Sequence, residues 1–169
     1  MLKPDPYRQR GMTLIEVLVS VLILAIGLLG AAAIQLNALK YTDSATLTSQ
    51  ASFIAYDMMD RIRANVDGNA TANGSTNVLA SYVLVNLAAA PTGAQTTARD
   101  QDLADFRANI QAFSRATGEG SIAIDPTRVV TITITWDDTR AASAAANASG
   151  GAAVPRSTFR LVSQIGVTP

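Results

Sequence analysis

Residues 8–30 read RQRGMTLIEVLVSVLILAIGLLG and set a single acid, Glu16, at the head of an otherwise uncharged apolar run. The 23 positions from Val17 to Leu39 carry no charge. As a helix they extend about 35 Å at about 1.5 Å per residue, enough to cross a hydrocarbon core of about 30 Å. Lys3, Arg8 and Arg10 precede the run against one acid, Asp5. That bias of bases keeps the N-terminus in the cytoplasm and puts the C-terminal side of the span outside.

Three readings of this segment compete. A cleaved secretory signal would use Ala31-Ala32-Ala33 as its small-residue site, with Val17 to Gly30 as its apolar region. Against it, the apolar pattern continues through Ile34 and Leu36, and Glu16 interrupts the approach. A plain single-span anchor is the second reading. The third takes GMTLIE, residues 11–16, as a processing signal in its own right.

The third reading rests on Gly11, Met12, Thr13, Leu14, Ile15 and Glu16, followed by VLVSVLILAIGLLG. This resembles the class III signal of type IV prepilins: a short basic leader, a Gly, a hydrophobic residue, and Glu at the fifth mature position. The resemblance implies that a membrane-embedded prepilin peptidase cuts after Gly11 and methylates the new amino group of Met12. Most members of the family have Phe at that place. Residues 1–11 would be the leader, and the mature chain from Met12 would keep 10 basic and 12 acidic residues.

A carboxylate at the centre of a membrane helix costs about 2.5–3.5 kcal/mol, and less near an interface. In the first helical turn the dipole favours an anion. That explains why Glu16 is tolerated but not why it is present. The resemblance implies a second role: Glu16 pairs with the N-terminal amine of a neighbouring subunit and sets axial register in a filament. Gly27 and Gly30 lie inside the span. They permit close helix packing or local loosening, each at about 1 kcal/mol relative to Ala in a helix interior.

Beyond Lys40 the pattern becomes amphipathic. Leu47, Ala51, Ile54, Met58 and Ile62 form one stripe at helical period. No Pro occurs between residues 7 and 90, so one helix from about Thr13 to Ala64 is permitted. Asp57–Arg61 and Asp60–Arg63 are spaced as surface charge pairs, worth tenths of a kcal/mol each. The run ASFIAYDMMDRIRAN, residues 51–65, resembles that of PilV-type minor pilins, the type IV pilus modification proteins.

The turn-rich DGNATANGSTN, residues 67–77, predicts a helix end near Val66. NVLASYVLVNLAAAP, residues 77–91, fits either a short helix or an apolar strand. Leu103, Phe106, Ile110 and Phe113 predict a helix from about Arg99 to Ala116, with Asp100, Asp102 and Asp105 crowding its start. Those acids lack the spacing of a calcium loop. Gly118-Glu119-Gly120 is too short to cradle phosphate and reads as a turn.

SIAID predicts a short strand. In RVVTITITW, residues 128–136, Val130, Ile132, Ile134 and Trp136 alternate with threonines, the mark of a half-buried antiparallel strand. STFRLVSQIGV alternates too, with Phe159, Leu161, Ile165 and Val167 inward. The Ala-, Ser- and Gly-rich stretch 138–156 between them reads as a loop.

The chain therefore divides into a leader (1–11), an apolar half-helix for the membrane or filament core (12–39), an amphipathic half-helix (40–65) and a globular head (66–169). The fold class expected is α+β and pilin-like, a long N-terminal helix packed on an antiparallel sheet.

The 169 residues balance 13 bases against 13 acids and contain neither Cys nor His. Disulfides, thiol chemistry, Cys- or His-ligated zinc and His-based acid–base catalysis are thereby excluded. No basic stripe offers a footprint for nucleic acid. No nucleophile with its base, metal cluster or phosphate cradle appears, so neither enzymatic activity nor a cofactor is expected. The resemblance implies a minor pilin that helps prime assembly and display of a type IV pilus, in motility and adhesion. Its partners would be other minor and major pilins, the prepilin peptidase, the inner-membrane assembly platform and the membrane itself. It would span the inner membrane once with a periplasmic head, then reach the pilus at the cell surface. Two rivals remain: a small I-type pseudopilin of a type II secretion system, and a tip adhesin binding through loops 67–77 and 138–156.

Overall fold

The computed structural model describes residues 12–73, 75–114, 117–138 and 156–165, and over 67–73 and 75–77 the backbone only. The leader, Gly11, most of the 138–156 loop and Val167 lie outside the described residues. Two compact units divide at Leu39 and Lys40.

In the first unit the chain is helical from Leu14, and every side chain from Met12 to Leu39 is exposed. The amides of Glu16 and Val17 donate to the Thr13 carbonyl at 3.1 and 3.3 Å and close the first turn. Nothing lies within 4 Å of where a Cβ would sit on Gly27 or Gly30.

In the second unit the same helix, α1 (Leu14–Asn73), turns amphipathic. Ala51, Ala55, Met58, Met59, Ile62 and Val66 are buried, all on one face at helical spacing. The stripe read from the sequence is thus rotated slightly. Ile54 and Leu47 pack at its margin, while Ala55 and Met59 join its centre.

The turn-rich composition of 67–77 predicts a break at Val66, yet the backbone stays helical through Asn73 and resumes in α2 (Ser75–Ser81). No proline occurs there to remove a hydrogen bond. Asn, Asp and a single Gly each cost a helix at most about 1 kcal/mol, which continuation of the ladder can offset. The ambiguous stretch after it takes both forms. It is helical to Ser81, then Leu84 makes an isolated bridge to Ile122, and a 3-10 turn comes next over Leu87–Ala89.

Helix α3 (Ala98–Ser114) buries Leu103, Phe106 and Ile110, as their spacing predicts. Strands β1 (Glu119–Ile124), β2 (Val129–Asp137) and β3 (Arg156–Gln164) form one antiparallel sheet in the order β1-β2-β3. On central β2, Val130, Ile132, Ile134 and Trp136 are all buried. They close one core with the α1 stripe, α3, Leu79, Tyr82 and Ile165. Phe159 and Leu161 on β3 are partly buried against it. The result is the expected α+β, pilin-like architecture.

Local chemistry sets both ends of β1. Asp125 and Arg128 close the turn into β2, with the Arg128 amide on the Asp125 carbonyl at 3.0 Å. The Asp125 carboxylate accepts from the Val129 amide and the Thr127 hydroxyl, which together hold its pKa below the usual carboxylate value. Pro126 presets the turn, and Arg128 takes the left-handed conformation (φ 64°) that three-residue hairpin loops require. At the other end β1 lies tight against α3. A Cβ on Gly118 would collide with Ser114 Oγ, and one on Gly120 would meet Ile110 Cδ1 at 2.6 Å. These two glycines are contact points for the core rather than a bare turn.

Gly120→Ala is therefore expected to destabilise the head by about 1–3 kcal/mol through overpacking. Ala123→Gly on the same strand adds no bulk and loses only about 0.5–1 kcal/mol. Thermal unfolding of the full chain in detergent micelles, followed by near-ultraviolet circular dichroism of Trp136, compares them. Equal melting temperatures for Gly120→Ala and the parent would contradict the close approach.

Candidate functional site

Of the residues singled out from the sequence, Met12 and Glu16 lie at the start of the apolar stretch, and Gly11 lies outside the described residues. Met12 is 73% exposed. Glu16 occupies the first turn of α1, where the unpaired amides of a helix start favour an anion. Its side chain has no hydrogen-bond or ion-pair partner among the described residues. One turn on, the Ser20 hydroxyl donates to the Glu16 carbonyl at 2.6 Å and satisfies its own polarity within the helix. From Val17 on, the surface is aliphatic except for that serine, two glycines, Gln35 and Asn37. Among the described residues one helix is long and apolar enough to cross a membrane, and its apolar window is wholly unburied.

Chemically this segment is a carboxylate at the positive end of a dipole, followed by a charge-free, largely apolar surface. Such a surface is stable only under cover, in lipid or among other apolar helices. A helix meets that need without leaving backbone groups unpaired.

The second unit holds its part of α1 through three polar ties that sequence reasoning missed. Near one end, the Ser44 hydroxyl donates to the buried Asp138 carboxylate just past β2, and the Ser157 hydroxyl reaches the same oxygen at 3.4 Å. Near the other, Arg63 donates to the Ser163 hydroxyl of β3 at 2.7 Å. Together these run β3 along α1 in the same direction and β2 against it.

The third tie is centred on Arg61. Its guanidinium takes Asp57 one turn back at 2.9 Å, as the spacing predicts, but also Asp102 at 3.3 Å and Asp105 at 2.8 Å on α3. Partial burial opposes its charge, but the hydrogen bond to Asp105 and the other carboxylates outweigh this and raise its pKa. The buried Tyr82 hydroxyl donates to Asp102 at 2.6 Å and accepts from the Asn65 amide at 2.6 Å. Burial, then the bond to Asp102, pushes the Tyr82 pKa well above its usual value. Asp100, the remaining acid, pairs with Arg99 at 2.6 Å, which lowers its pKa. The acids crowding the start of α3 therefore serve ion pairing. Asp60–Arg63 is present as a surface pair at 3.0 Å. One signal for Tyr82 was available: a tyrosine inside an apolar run needs a partner for its hydroxyl. Nothing in the spacing of Arg61 distinguished a tertiary tie from a surface pair.

Comparison with known proteins bears on the first segment. The family model of the prokaryotic N-terminal methylation motif matches residues 6–32. No curated protein and no solved structure is found to match the chain. The matched residues include Gly11, Met12, Glu16 and both glycines of the span. The match supports the pilin and pseudopilin class, whose members are structural, and processing by a prepilin peptidase followed by assembly with other pilins. With the apolar helix it fits membrane anchoring before assembly.

Tyr82→Phe is expected to cost about 1–2 kcal/mol near neutral pH by leaving Asp102 and Asn65 short of a partner. It should also change the alkaline limb of stability. Because the folded pKa lies above the unfolded one, the tyrosine's contribution is complete below about pH 10 and is lost as pH rises beyond it. Unfolding of the full chain between pH 7 and pH 11 should show a steeper alkaline decline for the parent than for Tyr82→Phe. Parallel declines would contradict the assigned environment.

Proposed function

We propose that the chain is a PilV-type minor pilin that helps prime assembly and display of a type IV pilus. The observation that carries the reading is Glu16 directly after GMTLI at the head of a charge-free apolar helix, within residues matched by the methylation motif. In this reading residues 1–11 are a leader, the prepilin peptidase cuts between Gly11 and Met12, and the Met12 amine is methylated. Residues 12–39 hold the protein in the inner membrane with residues 40–65 and the head 66–169 outside. The assembly platform then moves the apolar half-helix out of lipid and in among the half-helices of sibling pilins, and the head reaches the cell surface.

Glu16 has a physical task in that transfer. Lipid tails are as apolar as leucine, so apolar contact alone hardly favours helix–helix over helix–lipid packing. An unpaired carboxylate inside a bundle is costly, and so is an unpaired amine. Glu16 facing the Met12 amine of a neighbour removes both costs at one axial position only. Register thus comes from the one polar contact, and cohesion from the apolar surface. The reading needs no cofactor, nucleic acid or catalysis.

The DRIRAN run of residues 60–65 and the size of the head favour the pilus over the I-type pseudopilin of a type II secretion system. The GMTLIEVLV start keeps that second reading in play.

Mass spectrometry of the mature protein is expected to find a methylated Met12 at its N-terminus; a start at Ile34 would restore an ordinary secretory signal. Glu16→Ala should insert and be processed normally, yet its recovery in sheared pili should fall at least about tenfold. Normal incorporation would refute the role given to Glu16. Recovery with secretion-system pseudopilins instead of pili would favour the rival.

A further inference from the structure

We propose that α1 carries a compliant joint over Thr42–Gln50, restrained by a latch from Ser44 to Asp138. The joint lies between two stretches with very different support. From Ala51 onward six residues of α1 are buried in the head core. Before Lys40 the helix is apolar on all sides. Between them no residue is buried, and Leu47 alone leans on the core among the apolar residues there. Local stability tracks such contacts, so this is where α1 should open first.

Its hydrogen bonding points the same way. The hydroxyls of Thr46, Thr48 and Ser49 donate to the carbonyls of Thr42, Ser44 and Ala45 at 2.9, 3.0 and 2.9 Å. Ser52 donates to the Ser49 carbonyl at 2.7 Å. Each of these carbonyls is shared between a side chain and the ladder, an arrangement that weakens and bends helices. Thr42, Asp43, Ser44, Thr46, Thr48 and Ser49 are also all weak helix formers relative to alanine.

The Ser44 hydroxyl, unlike those of Thr46, Thr48 and Ser49, leaves the helix for Asp138. Asp138 directly follows the central strand and also takes the Ser157 hydroxyl of β3. The bond therefore tethers the weakest part of the helix to the sheet while leaving the ladder on either side soft. A load on the apolar stretch is then absorbed before it reaches Ala51, and the head core is spared. The joint belongs to the helix itself and holds whichever filament or membrane surrounds residues 12–39.

Amide hydrogen exchange of the full chain in detergent micelles, corrected for intrinsic rates and read peptide by peptide, tests it. Residues 44–50 are expected to exchange at least about tenfold faster than 55–63. The double variant Thr46→Val, Thr48→Val keeps β-branching and shape but removes two hydroxyls, and should slow that segment at least about threefold. Ser44→Ala should speed it at least about threefold and leave 55–63 unchanged. Asp138→Asn, a milder change than truncation, should act in the same direction as Ser44→Ala. Uniform protection across 44–63 in the parent, or no slowing by the valine pair, would overturn the joint. Loss of protection spreading into 55–63 in Ser44→Ala would overturn the latch.

Discussion

The head depends on one contact, the closure of Val130, Ile132, Ile134 and Trp136 on β2 over the α1 face from Ala51 to Val66. Each fully buried side chain of this size is worth about 1.5–3 kcal/mol relative to exposure, so the two faces together dominate what holds the unit. With no disulfide available, no other interaction reaches that scale. The small residues Ala51 and Ala55 are fully buried in the same cluster. Met58 and Met59 fill what remains, as an unbranched, adaptable side chain suits. Gly118 and Gly120 then let β1 pass with β2 down onto α3. Phe113 meets Trp136 edge-on with ring centroids 5.8 Å apart, which carries the contact from sheet to helix.

Polar ties refine that packing without replacing it. Arg61 is about one-third exposed, so each of its ion pairs is worth far less than a buried side chain. What they add is direction. Arg61 meets the start of α3, while Gln50, Phe53 and Ile54 face Asn109, Ala112 and Phe113 near its end across an open groove. The two helices therefore run antiparallel: a one-turn shift of α3 would take Asp102 from both Arg61 and Tyr82, and a one-turn shift of α1 would take Arg61 from Asp102 and Asn65 from Tyr82. Hydrophobic contact fixes that the surfaces meet; the charged cluster selects the register.

This division explains which features are legible in the sequence. Period-2 and period-3.6 patterns report burial, and burial decides β2, whose four inner residues match their spacing, and α3, where Leu103, Phe106 and Ile110 are buried and Phe113 is partly buried. The apolar run of 17–39 is equally plain because nothing but cover by other apolar matter stabilises it. Helix ends and tertiary polar partners depend instead on small differences. At Asp67–Asn73 a few tenths of a kcal/mol per residue separates a turn from a continued helix, and composition alone favours the turn. Arg61 stands four residues after Asp57, so its local pair masks its reach to α3. For the candidate site, the motif around Gly11, Met12 and Glu16 is legible because it is local and linear, and the family model matches it within residues 6–32. The supports of α1 at Ser44, Arg61 and Tyr82 are not, since each needs a partner 17 to 94 residues away.

The two halves of α1 answer to different demands. The head core is complete without any residue before Leu47, so folding of the head places no demand on residues 12–39. Those residues are free to satisfy a different solvent, and their surface admits only apolar cover. A helix shared between two such environments must change character somewhere, and neither environment can support the crossing. Water-facing hydroxyls at 42–49 suit that place, since they tolerate exposure and bond their own helix when nothing else is near. The same choice leaves the crossing the softest part of the rod. Softness there is thus a by-product of joining a lipid-soluble helix to a water-soluble fold, and Asp138 limits how far it extends.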